Sequence, residues 1–193
     1  VEEEDIHEKR VTLEGTKFYY DENPLVGLRG MRLLLSVPGL LRSIFRGILE
    51  SAYSAAEKDT ETFIYITLPF VTCPAEIDEA RKVLDLALPQ IVKEHQDSEA
   101  EIKPVIKLAS MIEVPRAALI ADQLAAKCDA LLFNMDILAQ QSCTIDLAEA
   151  ETTFLPQYAL MHVFDLGDQG RQNPLTNLDF EGVSKILEIG LQK

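Results

Sequence analysis

Between residues 62 and 133, short β-branched and aromatic runs alternate with longer runs of helical period, and this alternation is the strongest constraint on the fold. Thr62-Phe-Ile-Tyr-Ile-Thr-Leu68 stops at Pro69 and reads as a buried strand. Pro104–Ile112 and Cys128–Phe133 read the same way. Apolar residues at three- and four-residue spacing predict helices over about 38–57 (Leu40, Leu41, Ile44, Phe45, Ile48, Leu49, Ala52) and about 74–95 (Ile77, Ala80, Val83, Leu84, Ala87, Ile91). Ala117–Lys127 is a good helix former, with Pro115 at a position where a missing N–H costs nothing. Strand then helix, repeated, is the signature of βα units around a parallel sheet, so the fold class is α/β. Arg10–Glu14 is a further short strand candidate, and a terminal helix is expected around Phe180–Leu191. Gln140–Pro156 has no firm period, and Gly167–Pro174 reads as a polar loop.

Composition narrows the function classes. With 193 residues, 47% of them hydrophobic, the chain is long enough for one domain with its own core, taken as 1–193. A formal charge of −14 opposes non-specific nucleic-acid binding, which needs Lys and Arg to displace counterions. No apolar run approaches a membrane span, and the start Val1-Glu2-Glu3-Glu4-Asp5 is acidic where a signal peptide would be basic. The expectation is a soluble intracellular protein. Cys73, Cys128 and Cys143 are odd in number and lack C-x-x-C spacing, which favours free thiols in a reducing compartment, cytoplasm or organelle matrix. His7, His95 and His162 are scattered and give no zinc spacing.

Four ordered segments carry a resemblance. Glu22-Asn-Pro-Leu-Val-Gly-Leu-Arg-Gly-Met-Arg32 is similar to an E-N-P-x-x-G-x-R-x-x-R motif, and Leu41-Arg-Ser-Ile-Phe-Arg-Gly-Ile-Leu49 to an L-R-x-Q-L-R-A-I-L helix. Ile66-Thr-Leu-Pro-Phe-Val71, with Glu76 beyond it, is similar to I-M-x-P-M-V and an acidic helix start. Met111-Ile-Glu-Val-Pro115, Ala117–Asp122 and Asp129–Phe133 are similar to M-I-E-x-P, A-x-x-x-A-D and D-F-F-S-I. In this order they resemble the C-terminal domain of the PEP-utilising enzymes: pyruvate phosphate dikinase, PEP synthase and enzyme I of the bacterial sugar phosphotransferase system. The motifs span about 10–140, with 141–193 diverged.

The resemblance implies a (β/α)8 TIM-barrel-like fold. A closed barrel has eight strands and about 250 residues, and five or six strands are recognisable here, so an incomplete or diverged barrel is expected. It also implies PEP or pyruvate as ligand and Mg2+ where the site is retained. On that basis Arg29 and Asn134 are the candidate substrate-binding residues, and Glu113 and Asp136 the candidate metal ligands. A planar guanidinium suits a phosphate or carboxylate, and Mg2+ takes hard oxygens. The alternatives are plain: Arg29 and Arg32 could pair with Asp21 and Glu22, and Glu113 could simply face the following helix N-terminus.

Other positions depart from the family. Its G-T-N-D-L segment corresponds to Phe133-Asn-Met-Asp-Ile-Leu138. Without a gap, Asp136 falls on the family's Asn and Ile137 on its metal-binding Asp; a one-residue gap restores Asp136 as ligand but loses the Asn. Phe133 or Asn134 in place of the small Gly is expected to crowd the pocket. Val11 stands where the family's R-T-L-D has Arg, and Arg10, one residue away in a strand, faces the other side. The family's C-G-E motif, whose Cys protonates the enolate, is not found up to Lys193, nor are the phosphohistidine and ATP-grasp domains. Taken alone, the chain is expected not to turn over PEP and to serve a structural or assembly role. An incomplete barrel exposes strand edges and an apolar inner face, so a homodimer or other protein partner is expected, with Gln140–Pro156 as an added binding surface.

Overall fold

The computed structural model describes residues 26–57, 61–95, 103–163 and 178–193. The strand candidate Arg10–Glu14, Val11 within it, the first residues of the E-N-P motif and the loop Gly167–Pro174 lie outside them.

Three parallel strands, β1 (Phe63–Leu68), β2 (Val105–Ile112) and β3 (Ala130–Phe133), form the sheet in the order β1-β2-β3. The register pairs Ile66 with Leu108, Leu68 with Ser110 and Ile112 with Phe133. Parallel neighbours need a crossover, and helices supply it. β1 and β2 are joined through α3 (Pro74–Glu94), β2 and β3 through α4 (Pro115–Leu119) and α5 (Ala121–Ala125). Ahead of the sheet stand α1 (Met31–Ser36) and α2 (Leu40–Ala56). After it come α6 (Met135–Cys143), α7 (Leu147–Thr152), α8 (Leu155–Leu160) and α9 (Val183–Leu191). The parallel α/β class read from the alternation is therefore present, with three strands among the described residues rather than five or six.

The two faces of the sheet differ. Residues alternate between faces along a strand. Ile66, Leu68, Leu108, Ser110 and Ile112 are buried on the face that carries the helices. That core also takes Leu41, Phe45 and Leu49 from α2 and Ile77, Leu84 and Ile91 from α3, each set repeating at helical period. The opposite face shows Phe63 (57% exposed), Tyr65 (47%), Val105 (41%) and Leu132 (39%), an apolar surface open to solvent. Lys107 lies over the Phe63 ring at 5.9 Å and covers part of it.

Local chemistry sets the helix boundaries. α2 begins at Leu40 rather than Pro38 because Gly39 takes a left-handed φ of 79° just before it. α3 opens with Pro74 behind Cys73, and Glu76 in its first turn reaches back to accept the Thr72 and Cys73 N–H groups at 2.6 and 3.2 Å. The helix expected over Ala117–Lys127 is two short helices, broken at Ile120 (φ −117°, ψ 27°); the break lets Ala117, Ala118, Ala121 and Leu124 all bury. Gln140–Pro156, aperiodic in sequence, is helical for most of its length. Its helices are short and fixed by their ends: Asp146 Oδ1 accepts the Glu149 N–H at 3.1 Å to start α7, and Pro156 stands in the first turn of α8. Asp179 caps α9 by accepting the Glu181, Gly182 and Val183 N–H groups at 3.0, 3.0 and 3.1 Å. None of the described helices is long and apolar enough to cross a membrane.

Candidate functional site

Because the strands are parallel, their carboxyl ends share one edge of the sheet, and the residues that follow them meet there. Pro69–Thr72 follow β1, Glu113 follows β2 and Asn134 follows β3. Such an edge is where open and closed parallel α/β folds build their sites.

Glu113 is the centre of this edge. It is 4% exposed, and both carboxylate oxygens are engaged. Oε2 accepts the Phe70 N–H at 2.6 Å, and Oε1 accepts from Asn134 Nδ2 at 3.1 Å. These bonds join the ends of all three strands. Asn134 is turned by its second role, since its Oδ1 accepts the Ile137 N–H at 3.3 Å as the N-cap of α6. With the oxygen committed to the helix, the amide nitrogen faces Glu113.

The Phe70 backbone is unusual. Its φ of 51° lies in the left-handed region, rare for a residue with a bulky side chain. Gly30, itself at φ 51°, lies directly against it: a Cβ on Gly30 would stand 2.7 Å from both Phe70 Cβ and the Pro69 carbonyl oxygen. Pro69 O in turn accepts the Met31 N–H at 3.0 Å. The Arg29 guanidinium carbon sits 5.4 Å from the centre of the Phe70 ring. Arg116 closes the loop on the other side by donating to the Thr72 carbonyl oxygen.

The structure thus brings Arg29, Glu113 and Asn134 to one edge, linked by direct contacts through Phe70. Asp136 is different: it is exposed on the first turn of α6. Among the described residues no three His, Cys, Asp or Glu side chains converge to hold a metal. Ile137, the other residue weighed at the metal-ligand position, contributes only its N–H to the Asn134 cap. Phe133 does not crowd the edge as expected. Its ring packs against α9, where a Cβ on Gly190 would lie 2.9 Å from Phe133 Cε1, and only Asn134 turns into the site. The three cysteines are free and half-buried, and burial pushes the Cys128 and Cys143 thiols up.

Sequence reasoning missed Phe70 and Gly30. Gly30 stands between Arg29 and Met31 in the first motif, and Phe70 follows the proline that ends β1. No local pattern indicates that Phe70 takes a left-handed conformation or donates to a carboxylate 43 residues away.

A parallel α/β unit with an arginine, a buried carboxylate and an amide gathered at the strand ends defines a class, and comparison with known proteins gives the family. Residues 4–170 match the model of the PEP-utilising enzyme, PEP-binding domain, and the chain belongs to that family. It is 31% identical over 171 residues to pyruvate, phosphate dikinase 2 of Oryza sativa subsp. japonica, which covers 89% of this chain and 18% of that protein. Pyruvate, phosphate dikinase of Rhizobium meliloti (strain 1021) is 31% identical over 176 residues, 90% of this chain and 18% of the relative. That of Entamoeba histolytica is 29% identical over 191 residues, 98% of this chain and 20% of the relative. The chain spans about a fifth of the length of these curated relatives. The family match extends past the four motifs, and its span includes Gln140–Pro156.

Proposed function

We propose that this chain is a PEP/pyruvate-binding segment of a (β/α)8 barrel from a pyruvate phosphate dikinase-like phosphotransferase, catalytically degenerate and serving a structural or assembly role. The observation that carries the reading is the state of Glu113: buried, with both oxygens hydrogen-bonded inside the protein. A carboxylate that ties three strand ends together is a strut.

Among the described residues the donor set for Mg2+ is incomplete, with Glu113 as its one buried carboxylate. That ion demands near-ideal octahedral oxygen geometry and is held by one or two carboxylates plus waters and ligand oxygens. Each Glu113 oxygen already accepts one donor, which orients the carboxylate inside the protein, and Asp136 stands exposed on α6 rather than buried beside it. Arg29 remains as a group able to bind a carboxylate or phosphate. An anion held by Arg29 without a metal is bound but not activated for phosphoryl transfer. The open sheet face with Phe63, Tyr65, Val105 and Leu132 is where further barrel strands, a second copy or another protein would pack.

A second reading, an active Mg2+-dependent domain seen as a fragment, draws on the gathering of Arg29, Glu113 and Asn134 at the strand ends and on relatives named as dikinases. Calorimetric titration of oxalate into the chain with and without Mg2+ separates the two. Oxalate binding that Mg2+ leaves unchanged supports the degenerate reading. Mg2+-dependent oxalate binding abolished by Glu113→Ala overturns it.

A further inference from the structure

We propose that Phe70 is the positioning residue for Arg29, and that Glu113 acts on Arg29 through it: by holding the Phe70 N–H, the carboxylate fixes the left-handed backbone that presents the Phe70 ring to the guanidinium.

Each link is an observed contact. A left-handed φ at a bulky residue is disfavoured and persists only where the surroundings over-determine it. At Phe70 they do. Its N–H is bound at 2.6 Å by a carboxylate that is 4% exposed, a short charge-assisted bond shielded from water. The preceding carbonyl is fixed by the Met31 N–H at 3.0 Å, and the absent Cβ of Gly30 leaves room for the Phe70 Cβ. The backbone torsion of a residue sets the direction of its Cα–Cβ bond. Returning Phe70 to an ordinary negative φ would therefore swing the ring away from Arg29. The guanidinium carbon stands 5.4 Å from the ring centre, within the range of a cation–π contact. Contact with an aromatic face restrains a guanidinium and helps set the plane in which its N–H donors lie. A planar anion such as a carboxylate would meet those donors edge-on.

Glu113 thereby gains a role that needs no ligand on the carboxylate itself. Removing it frees the Phe70 peptide, and the effect is felt at Arg29, a residue it contacts only through Phe70 among the bonds described above. The proposal deepens the anion-binding part of the reading given above and rests on it for its consequence, though not for the relay itself.

The relay is tested without any ligand by the Arg29 Nε–Hε signal of the full 15N-labelled chain, assigned by its loss in Arg29→Lys. Shielding by the Phe70 ring displaces this signal. Phe70→Leu, which keeps an apolar side chain but no ring, is expected to remove the displacement, and Phe70→Tyr to retain it. Glu113→Ala is expected to move the signal in the same direction as Phe70→Leu, with little further change in the double variant. Far-UV circular dichroism checks that each variant is folded. An Arg29 signal unmoved by Glu113→Ala, or by Phe70→Leu, overturns the proposal. Calorimetric titration with oxalate then reads the consequence: affinity about two- to five-fold weaker in Phe70→Leu and recovered in Phe70→Tyr. Absence of any oxalate heat, with the NMR pattern as expected, sinks the anion-binding reading while the relay stands.

Discussion

Glu113→Ala is expected to destabilise the chain by about 2.5–4 kcal/mol, from a short hydrogen bond to the carboxylate worth about 1.5–3 kcal/mol and a second, longer one worth about 1 kcal/mol. Neither bond is replaced by water, because the side chain is 4% exposed. The truncation orphans the Phe70 N–H and leaves the left-handed Phe70 without its main restraint. Glu113→Gln is expected to cost about half as much. A glutamine can give its oxygen to the Phe70 N–H, but its NH2 then meets the Asn134 Nδ2, which is held facing inward by the Ile137 N–H on Oδ1. One donor is left against another whichever way the amide turns. Equilibrium urea unfolding followed by circular dichroism measures both, the loss being read as a lower midpoint at unchanged slope. The opposite result is informative. A carboxylate held in reserve for a ligand commonly costs stability, so its removal would leave the chain as stable or more so. A neutral or stabilising Glu113→Ala would refute the strut.

Three further outcomes follow from the geometry. Gly30→Ala should cost about 2 kcal/mol or more in urea unfolding, since the residue is left-handed and its Cβ would lie 2.7 Å from a backbone oxygen that cannot move aside; an unchanged midpoint would contradict the packing of Gly30 under Phe70. Asp179→Ala should fray α9 and lower stability by about 1 kcal/mol, as three N–H groups lose their acceptor, with amide exchange of Glu181–Val183 as the local readout. Burial raises the Cys128 thiol, whose Sγ also donates to the Leu124 and Ala130 carbonyls at 3.2 Å. The folded state therefore favours the neutral thiol, so its contribution to stability is present below the ordinary thiol range and lost as pH rises through the raised value. Iodoacetamide mapping at pH 8 should find Cys128 slower than a free cysteine, with alkylation rising only at higher pH.

The sequence was most legible where one period ran long enough to be counted. β1 and β2 and the two long helices lie within a few residues of their expected spans, because Leu41–Phe45–Leu49 and Ile77–Ala80–Leu84 mark buried stripes that packing could only confirm. Short elements held by their ends were not visible to period: α7 exists through the Asp146 cap, and the break at Ile120 reflects how small residues pack on the sheet. At the site, the motifs pointed to Arg29, Glu113 and Asn134, and the parallel register brings them together. What the motifs could not give was the partner of each group. Glu113 meets Phe70 and Asn134 across 43 and 21 residues of chain, and these contacts are what make it a tie between strand ends. Asp136, equally acidic in sequence, lies exposed on α6.

The claim that Glu113 is an internal strut is tested most directly by titrating oxalate into the full chain with and without Mg2+. The account predicts that Mg2+ leaves the oxalate affinity unchanged and gives no heat of its own. A Mg2+-dependent gain of about tenfold or more, lost in Glu113→Ala while Asp179→Ala retains it, would contradict the account and return Glu113 to the metal.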